Sequence, residues 1–344
     1  MSTSLPPDSP SAGDTVWCRG ALLQVEQYRR DLLAQPQALR EAADYQAEST
    51  GKRLRPTVLL CFALVGQARP RATPGVLRAA AAVELLHEAS LIHDDILDHS
   101  SVRRGRPSVP EKFGVSTASH LGAFMVMAAV SALAEACVAE GAALDLGLLR
   151  ALCQAQLEEG LSPLRDPAAQ RQRCVRVIQG KTGALFKLAA QVGAGFANPA
   201  GCHAPARRAA EPFAECLALA FQLRDDLADL ENAEHLRKPG GSDLLRGLPT
   251  LPFQMWASSQ PSPEAAWDRL VNCRNAPIAA EQLRQDVVQS GVLREVRELI
   301  LAQLNEARGV LGALPASPAL NTLGALLDQI APASGPPGRP NKTP

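Results

Sequence analysis

Aromatic side chains make up only 4% of the 344 residues, and runs of β-branched residues are scarce. A chain so poor in strand formers, dominated by Ala and Leu and punctuated by Pro and Gly at helix-length intervals, argues against a sheet architecture and predicts an almost wholly helical fold. Net charge is missing as well, because 35 Lys and Arg balance 35 Asp and Glu. No global field then recruits nucleic acid or an anionic membrane, and any anion site must be built locally. The eight cysteines contain no CxxC pair and no Cys/His cluster that would suit zinc; scattered mostly through apolar helical stretches, they read as reduced thiols of a cytosolic protein. Glycine patterns of the dinucleotide-binding or P-loop kind are absent, and so is any repeat of fixed short period. The longest uncharged, mostly apolar run, 121–134, stops at Glu135. It falls short of the ~20 residues of a membrane span and reads as a buried helix.

What is present is apolar bulk: 46% of the side chains are hydrophobic, enough to bury a substantial core in a single all-α domain. Pro- and Ser-rich ends, 1–14 and 331–344, read as loose tails around a domain of residues 15–330. Within it, helices are expected over 16–35, 36–46, 56–67, 75–99, 114–140, 146–159, 167–194, 205–232, 251–257, 279–290, 292–314 and 319–330. Several are apolar on most faces, as central members of a large bundle would be.

Against that background "SLIHDDILDHS" places Asp94, Asp95 and Asp98 in an apolar helix, and "FQLRDDLADLE" repeats the spacing with Asp225, Asp226 and Asp229. At 100° per residue, three carboxylates crowd into about 6 Å on one helix face. One such cluster alone would read as a solvated acidic face. Two, each flanked by Leu, Ile or Phe, call for a counter-charge, and all-oxygen ligation suits a hard ion such as Mg²⁺ that takes its remaining ligands from water and phosphate. His93 and His99 beside the first cluster are expected to pack or hydrogen-bond.

A polyanion requires basic groups, and they are present without unbalancing the chain. "GKRLRP" sets Lys52, Arg53 and Arg55 before or beside Pro56 at an expected helix start, where cations oppose the helix dipole unless an anion lies between them. "SVRRGRPS" supplies Arg103, Arg104 and Arg106 just after the first aspartates; "QGKTGALF" adds Lys181 and Thr182, and "RKPGGSDLLRG" adds Lys238 with Asp243.

Taken with "LLHEASLIHDDILDHSSVRRGRPS", "KFGVSTA" and "KPGGSDLLRGLPTLP", these motifs run in order from Gly51 to Pro252, and the chain resembles the trans-isoprenyl diphosphate synthases, the polyprenyl synthetase family. The resemblance implies an isoprenoid synthase-type all-α bundle around a central apolar cavity, usually a homodimer. It implies that Asp94, Asp98 and Asp225 ligate Mg²⁺, with Asp95, Asp226 and Asp229 completing the clusters and three ions in each site. It further implies that Arg103, Lys181 and Lys238 hold the diphosphate of an allylic substrate, while Gly51, Lys52, Arg55, His87 and Arg104 hold that of isopentenyl diphosphate. Lys181, Thr182 and Gln222 stand where the family steadies a carbocation.

Five positions before the first aspartate the family sets product length, an aromatic there stopping growth early. Here that residue is Ala89, followed by Ser90, which implies an open tunnel and products beyond twenty carbons; Phe124, Met125 and Met127 are either a lower floor or plain core. Two positions depart from the pattern: Ala123 stands where an acid is common, and Leu248 where a lysine is. A terpene cyclase would keep the aspartates without needing Gly51, Lys52, Arg55, His87 and Arg104, and a non-catalytic partner subunit would be free to lose both acidic clusters.

Overall fold

Helices with little polar surface take the middle of the molecule, as their sequences require. The computed structural model describes residues 12–34, 37–49, 51–159, 161, 166–197, 203–231 and 241–332. Lys238, Cys202 and most of both expected tails lie outside the described residues. In chain order the helices are α1 (Ala12–Leu33), α2 (Arg40–Ala47), α3 (Leu54–Leu64), α4 (Pro74–Leu97), α5 (Val109–Phe113), α6 (Val115–Glu140), α7 (Gly147–Glu159), α8 (Pro167–Ile178), α9 (Ala184–Phe196), α10 (His203–Leu230), α11 (Ser242–Leu245), α12 (Leu251–Ser258), α13 (Pro263–Asn272), α14 (Pro277–Gln289), α15 (Val292–Leu311) and α16 (Pro318–Ile330).

Starts are written in the sequence. Thr73 accepts a hydrogen bond from the Val76 amide at 3.2 Å with Pro74 at the first helical position, and Ser108 does the same for Glu111 at 3.2 Å. Each cap satisfies an amide that the first turn leaves unpaired. Every residue of α3 from Arg55 to Leu64 is buried, so this helix has no solvent face and packs on α9 and α4. α4 runs along α6, and α10 along α15 and α9. Phe62 of α3 meets Phe213 of α10 at 5.4 Å between ring centroids. Each such fully buried side chain contributes roughly 1.5–3 kcal/mol.

Several boundaries differ from expectation for local reasons. α3 begins two residues before Pro56, which falls in the first turn, where a missing amide proton leaves no bond unmade. The continuous helix expected over 167–194 is broken by a π-helical turn at Gln179–Gly183. α1 starts at Ala12, inside the expected tail, and the 36–46 segment opens with a 3₁₀ turn, Gln37–Leu39. α5, α11 and α13 were not anticipated, nor was a two-stranded hairpin, β1 (Val102–Arg103) with β2 (Arg106–Pro107). Short elements carry too few residues for periodicity to register.

The 121–134 run belongs to α6, which over its full length is long and apolar enough to cross a membrane; 44% of its most apolar 18-residue window is buried in this chain. One of its sides packs on α4 and the other carries exposed Ala123, Met127 and Val138. Met127, expected in the floor or the core, is 70% exposed, whereas Met125 is fully buried. The described cysteines are all free thiols.

Candidate active site

Both aspartate clusters fall at the C-terminal ends of long helices. Asp94 and Asp95 occupy the last turn of α4 with Asp98 as its C-cap, and Asp225, Asp226 and Asp229 the last turns of α10. Carboxylates there face the negative end of the helix dipole, so each cluster is stable only beside cations. Asp94 and Asp95 are buried. Arg103 donates to Asp95 Oδ1 from Nε at 2.9 Å and Nη2 at 2.5 Å, Arg246 pairs with Asp98, and Lys181 Nζ lies 3.3 Å from Asp94 Oδ2. Burial, with Asp94 and Asp98 adding their charge, still pushes the Asp95 carboxyl up despite Arg103.

Arg103 reaches Asp95 because the chain reverses at Arg104 and Gly105, both at positive φ (53° and 76°), which folds β2 back on β1. The hairpin tip carries Arg104 to the other basic motif, where its Nη1 donates to Ser49 Oγ at 3.0 Å. A Cβ on Gly51 would lie 3.1 Å from the Arg104 guanidinium, close enough that the arginine would have to shift by a few tenths of an ångström. Arg55, in the first turn of α3, is buried; its Nε has no hydrogen-bond partner and its guanidinium stacks 4.8 Å from the Phe186 ring centroid. Burial, opposed by Glu84 and Asp225 and reinforced by Arg104, lowers Arg55 to about 10. His87, half-buried on α4, is driven well below its usual range by burial and then by Arg55, Arg104, Arg103 and Arg53. A buried guanidinium with an unpaired Nε and an imidazole among converging cations describe a place built for an anion. Lys52 is exposed at its edge. Arg53, grouped by sequence with this loop, turns away and binds carboxylates of Glu26, Glu84 and Glu88.

The second cluster is tied to the π turn. Thr182 donates to Gln222 Oε1 at 3.0 Å, and Gln222 Nε2 donates to Asp226 Oδ1 at 2.8 Å, joining Thr182, Gln222 and Asp226 in one chain of bonds. Asp225 pairs with Arg224 at 2.9 Å. Burial, then the charge of Asp243, holds the Asp226 carboxyl well above the carboxylate range, with Asp225 and Asp229 adding to it. Asp229 is engaged elsewhere: its oxygens accept from Ser242 Oγ at 2.6 Å and from the Asp243 amide at 3.2 Å, fixing the start of α11.

The helix expected over 146–159 is present as α7, but its contribution to the site was missed. Its Gln156 Nε2 donates to Asp94 Oδ1 at 3.0 Å, and its Glu159 Oε2 accepts from Lys181 Nζ at 2.5 Å. Burial opposes the Lys181 charge, but Glu159 and Asp94 hold the ammonium above its ordinary range. The approach depends on Gly180, where a Cβ would lie 2.5 Å from that of Ala155. A polar pair closing a largely apolar helix was the available signal. Arg246 was missed too, being one more surface arginine in the sequence.

Among the described residues no three carboxylate, imidazole or thiol groups close on a single point as a ready metal cage. The chemistry nonetheless fits a hard divalent ion: both clusters are all-oxygen, mutually repulsive and partly buried, and each offers a few carboxylates to an ion that takes its remaining ligands from water and phosphate. Ala89 is fully buried beneath the first cluster, and Ser90 donates to the His87 carbonyl at 2.8 Å. Surface depressions of about 280 Å³ beside Trp17 and about 400 Å³ beside Phe196 involve none of these residues.

Residues 36–287 match the family model for polyprenyl synthetase. Component 2 of the heptaprenyl diphosphate synthase of Geobacillus stearothermophilus is 31% identical over 242 residues, covering 70% of this chain and 73% of its own. The octaprenyl diphosphate synthase of Haemophilus influenzae is 28% identical over 267 residues, 77% of this chain and 74% of its own. Among solved structures, a polyprenyl synthase from Caulobacter crescentus, crystallised with calcium and isoprenyl diphosphate, superposes with a TM-score of 0.78 at 27% identity over 95% of this chain and 99% of its own.

Proposed function

The chain belongs to the polyprenyl synthetase family and is a prenyltransferase, and from that premise we propose that it condenses isopentenyl diphosphate with an allylic prenyl diphosphate to make a polyprenyl diphosphate of more than twenty carbons. Metal dependence belongs to the family, and the calcium and isoprenyl diphosphate of the Caulobacter structure support the same chemistry here. Three Mg²⁺ held by Asp94, Asp98 and Asp225, with Asp95, Asp226 and Asp229 alongside, would neutralise charge on the departing diphosphate as Lewis acids.

The chain's own groups do the rest. Arg103, Lys181 and Lys238 hold the allylic diphosphate as its C–O bond breaks; Lys181 keeps its charge because Glu159 and Asp94 stand beside it. Gly51, Lys52, Arg55, His87 and Arg104 hold the second diphosphate, so that the double bond of isopentenyl diphosphate faces the allylic cation. The Thr182 hydroxyl and Gln222 carbonyl, fixed by their shared bond, steady that cation through their dipoles. The new C–C bond leaves a tertiary cation, and the released diphosphate takes its proton. Burial of Ala89, Ile92 and Phe186 excludes the water that would trap either cation.

The observation that carries this reading is Arg55, a buried guanidinium with an unpartnered Nε, within the electrostatic reach of Arg104, His87 and Asp225. A terpene cyclase has no use for that second anion site. The exposed side of α6 supports a homodimer closed over Ala123, Met127 and Val138. Equilibrium binding of labelled isopentenyl diphosphate tests the assignment: Arg55→Ala should lose it, and undiminished binding in the variant would contradict it.

A further inference from the structure

The only charged residues between Arg78 and Asp94 are Glu84 and Glu88, and both are buried, at 2% and 0% exposure. Carboxylates so deep in an apolar helix require partners, and theirs come from elements outside the reacting centre. Glu88 Oε2 accepts from Arg29 Nη1 of α1 at 2.8 Å, a pair with no exposed surface on either side. Arg29 also donates to the Ala47 carbonyl at 2.6 Å and pairs with Glu26. Arg53 Nη1 donates to Glu84 at 2.7 Å and to Glu88 at 2.9 Å, and its Nη2 to Glu26 at 2.8 Å and the Ser49 carbonyl at 3.1 Å. Two arginines and three glutamates thus tie down Ala47, Ser49 and Arg53, and Arg53 is held at φ 52°, a left-handed conformation that a side chain this large adopts only under constraint.

Segment 47–53 carries Gly51 and Lys52, leads into Arg55, and offers Ser49 to Arg104. We infer that Glu84 and Glu88 are positioning residues for the isopentenyl diphosphate site: anchored by Arg29 and Arg53, they fix the backbone at Ala47, Ser49 and Arg53 and balance the guanidinium groups gathered around His87. Arg55 and Arg104 repel one another; Glu84 counters the charge of both, Glu88 that of Arg104, and Asp225 also counters Arg55. Neutralising Glu88 weakens one of the four bonds that hold Arg53, removes the anionic partner of Arg29 at the buried end of the network, and leaves the charge of Arg104 less balanced.

The inference rests on the reading of that site given above, and it separates from that reading in a kinetic experiment. Initial rates are measured for wild type and Glu88→Gln with each substrate varied while the other is saturating. The KM for isopentenyl diphosphate should rise roughly tenfold or more, the scale of a displaced binding group, with the KM for the allylic substrate within roughly twofold. Equal shifts in both, or unchanged kinetics in a folded variant, overturn it. Should Glu88→Gln fail to fold by circular dichroism, Glu84→Gln and the charge-neutral pair Arg29→Met with Glu88→Leu, which leaves no unpaired buried charge, carry the same comparison. Wild-type protein with no turnover of isopentenyl diphosphate sinks the functional reading itself, whereas active wild type whose variants keep its KM values sinks only the positioning role.

Discussion

Lys181 Nζ stands 3.3 Å from Asp94 Oδ2 and 2.5 Å from Glu159 Oε2, so an expected diphosphate ligand leans directly on an expected metal ligand. The two roles meet in one bond across α4 and the π turn. Asp94→Ala removes a carboxylate from the leaving-group site and unseats Lys181 as well. Turnover in Asp94→Ala, and separately in Asp225→Ala, should fall by at least about 10²-fold, the loss typical of one preorganised electrostatic element. Incorporation of labelled isopentenyl diphosphate measures it; near-normal incorporation in either variant would remove that aspartate from the mechanism.

Ala89 is fully buried one turn and a half below Asp94 on α4. On the function proposed above, a phenyl ring there would occupy the path of the growing chain. Ala89→Phe should shift the product profile to shorter chains, read by chromatography of the dephosphorylated alcohols, and an unchanged profile would place the length-setting floor elsewhere.

Met127 is 70% exposed on an apolar side of α6. If a second copy covers that side, a buried charge there is costly. Met127→Glu should sediment as a monomer where the wild type sediments as a dimer; a dimeric variant would move the interface off α6.

His87 gives a pH signature. Burial and the surrounding guanidinium groups keep its imidazole neutral in the native state well below the usual titration range. The unfolded chain takes up that proton below pH about 6.5, so stability is fully present above this value and declines as pH falls through it. Thermal melts between pH 7.5 and 5.5 should therefore slope less steeply in His87→Gln. Parallel slopes would mean that His87 is not held neutral.

The all-α fold and both acidic clusters were legible in the sequence because long apolar helices and paired DDxxD motifs are local patterns. The hairpin at Arg104 and Gly105 was not, since two-residue strands leave no period, yet it decides where Arg103 and Arg104 point. Arg53 was misread for a different reason. Three cations in "GKRLRP" look alike along the chain, and only the fold reveals that Arg53 faces Glu84 and Glu88 while Arg55 faces the site. Glu84 and Glu88 were themselves visible as lone charges in an apolar helix, a signal overshadowed by the aspartates that follow. Gln156 and Glu159 reach the site only through the close approach at Gly180, which no spacing along the chain encodes.

The most direct test is incubation of the purified protein and Mg²⁺ with isopentenyl diphosphate and allylic diphosphates of increasing length, followed by mass analysis of the products. The expected result is a ladder of linear polyprenyl diphosphates ending beyond twenty carbons and abolished by chelation of the metal. Cyclic hydrocarbon products, or no consumption of isopentenyl diphosphate with any allylic starter, would contradict it.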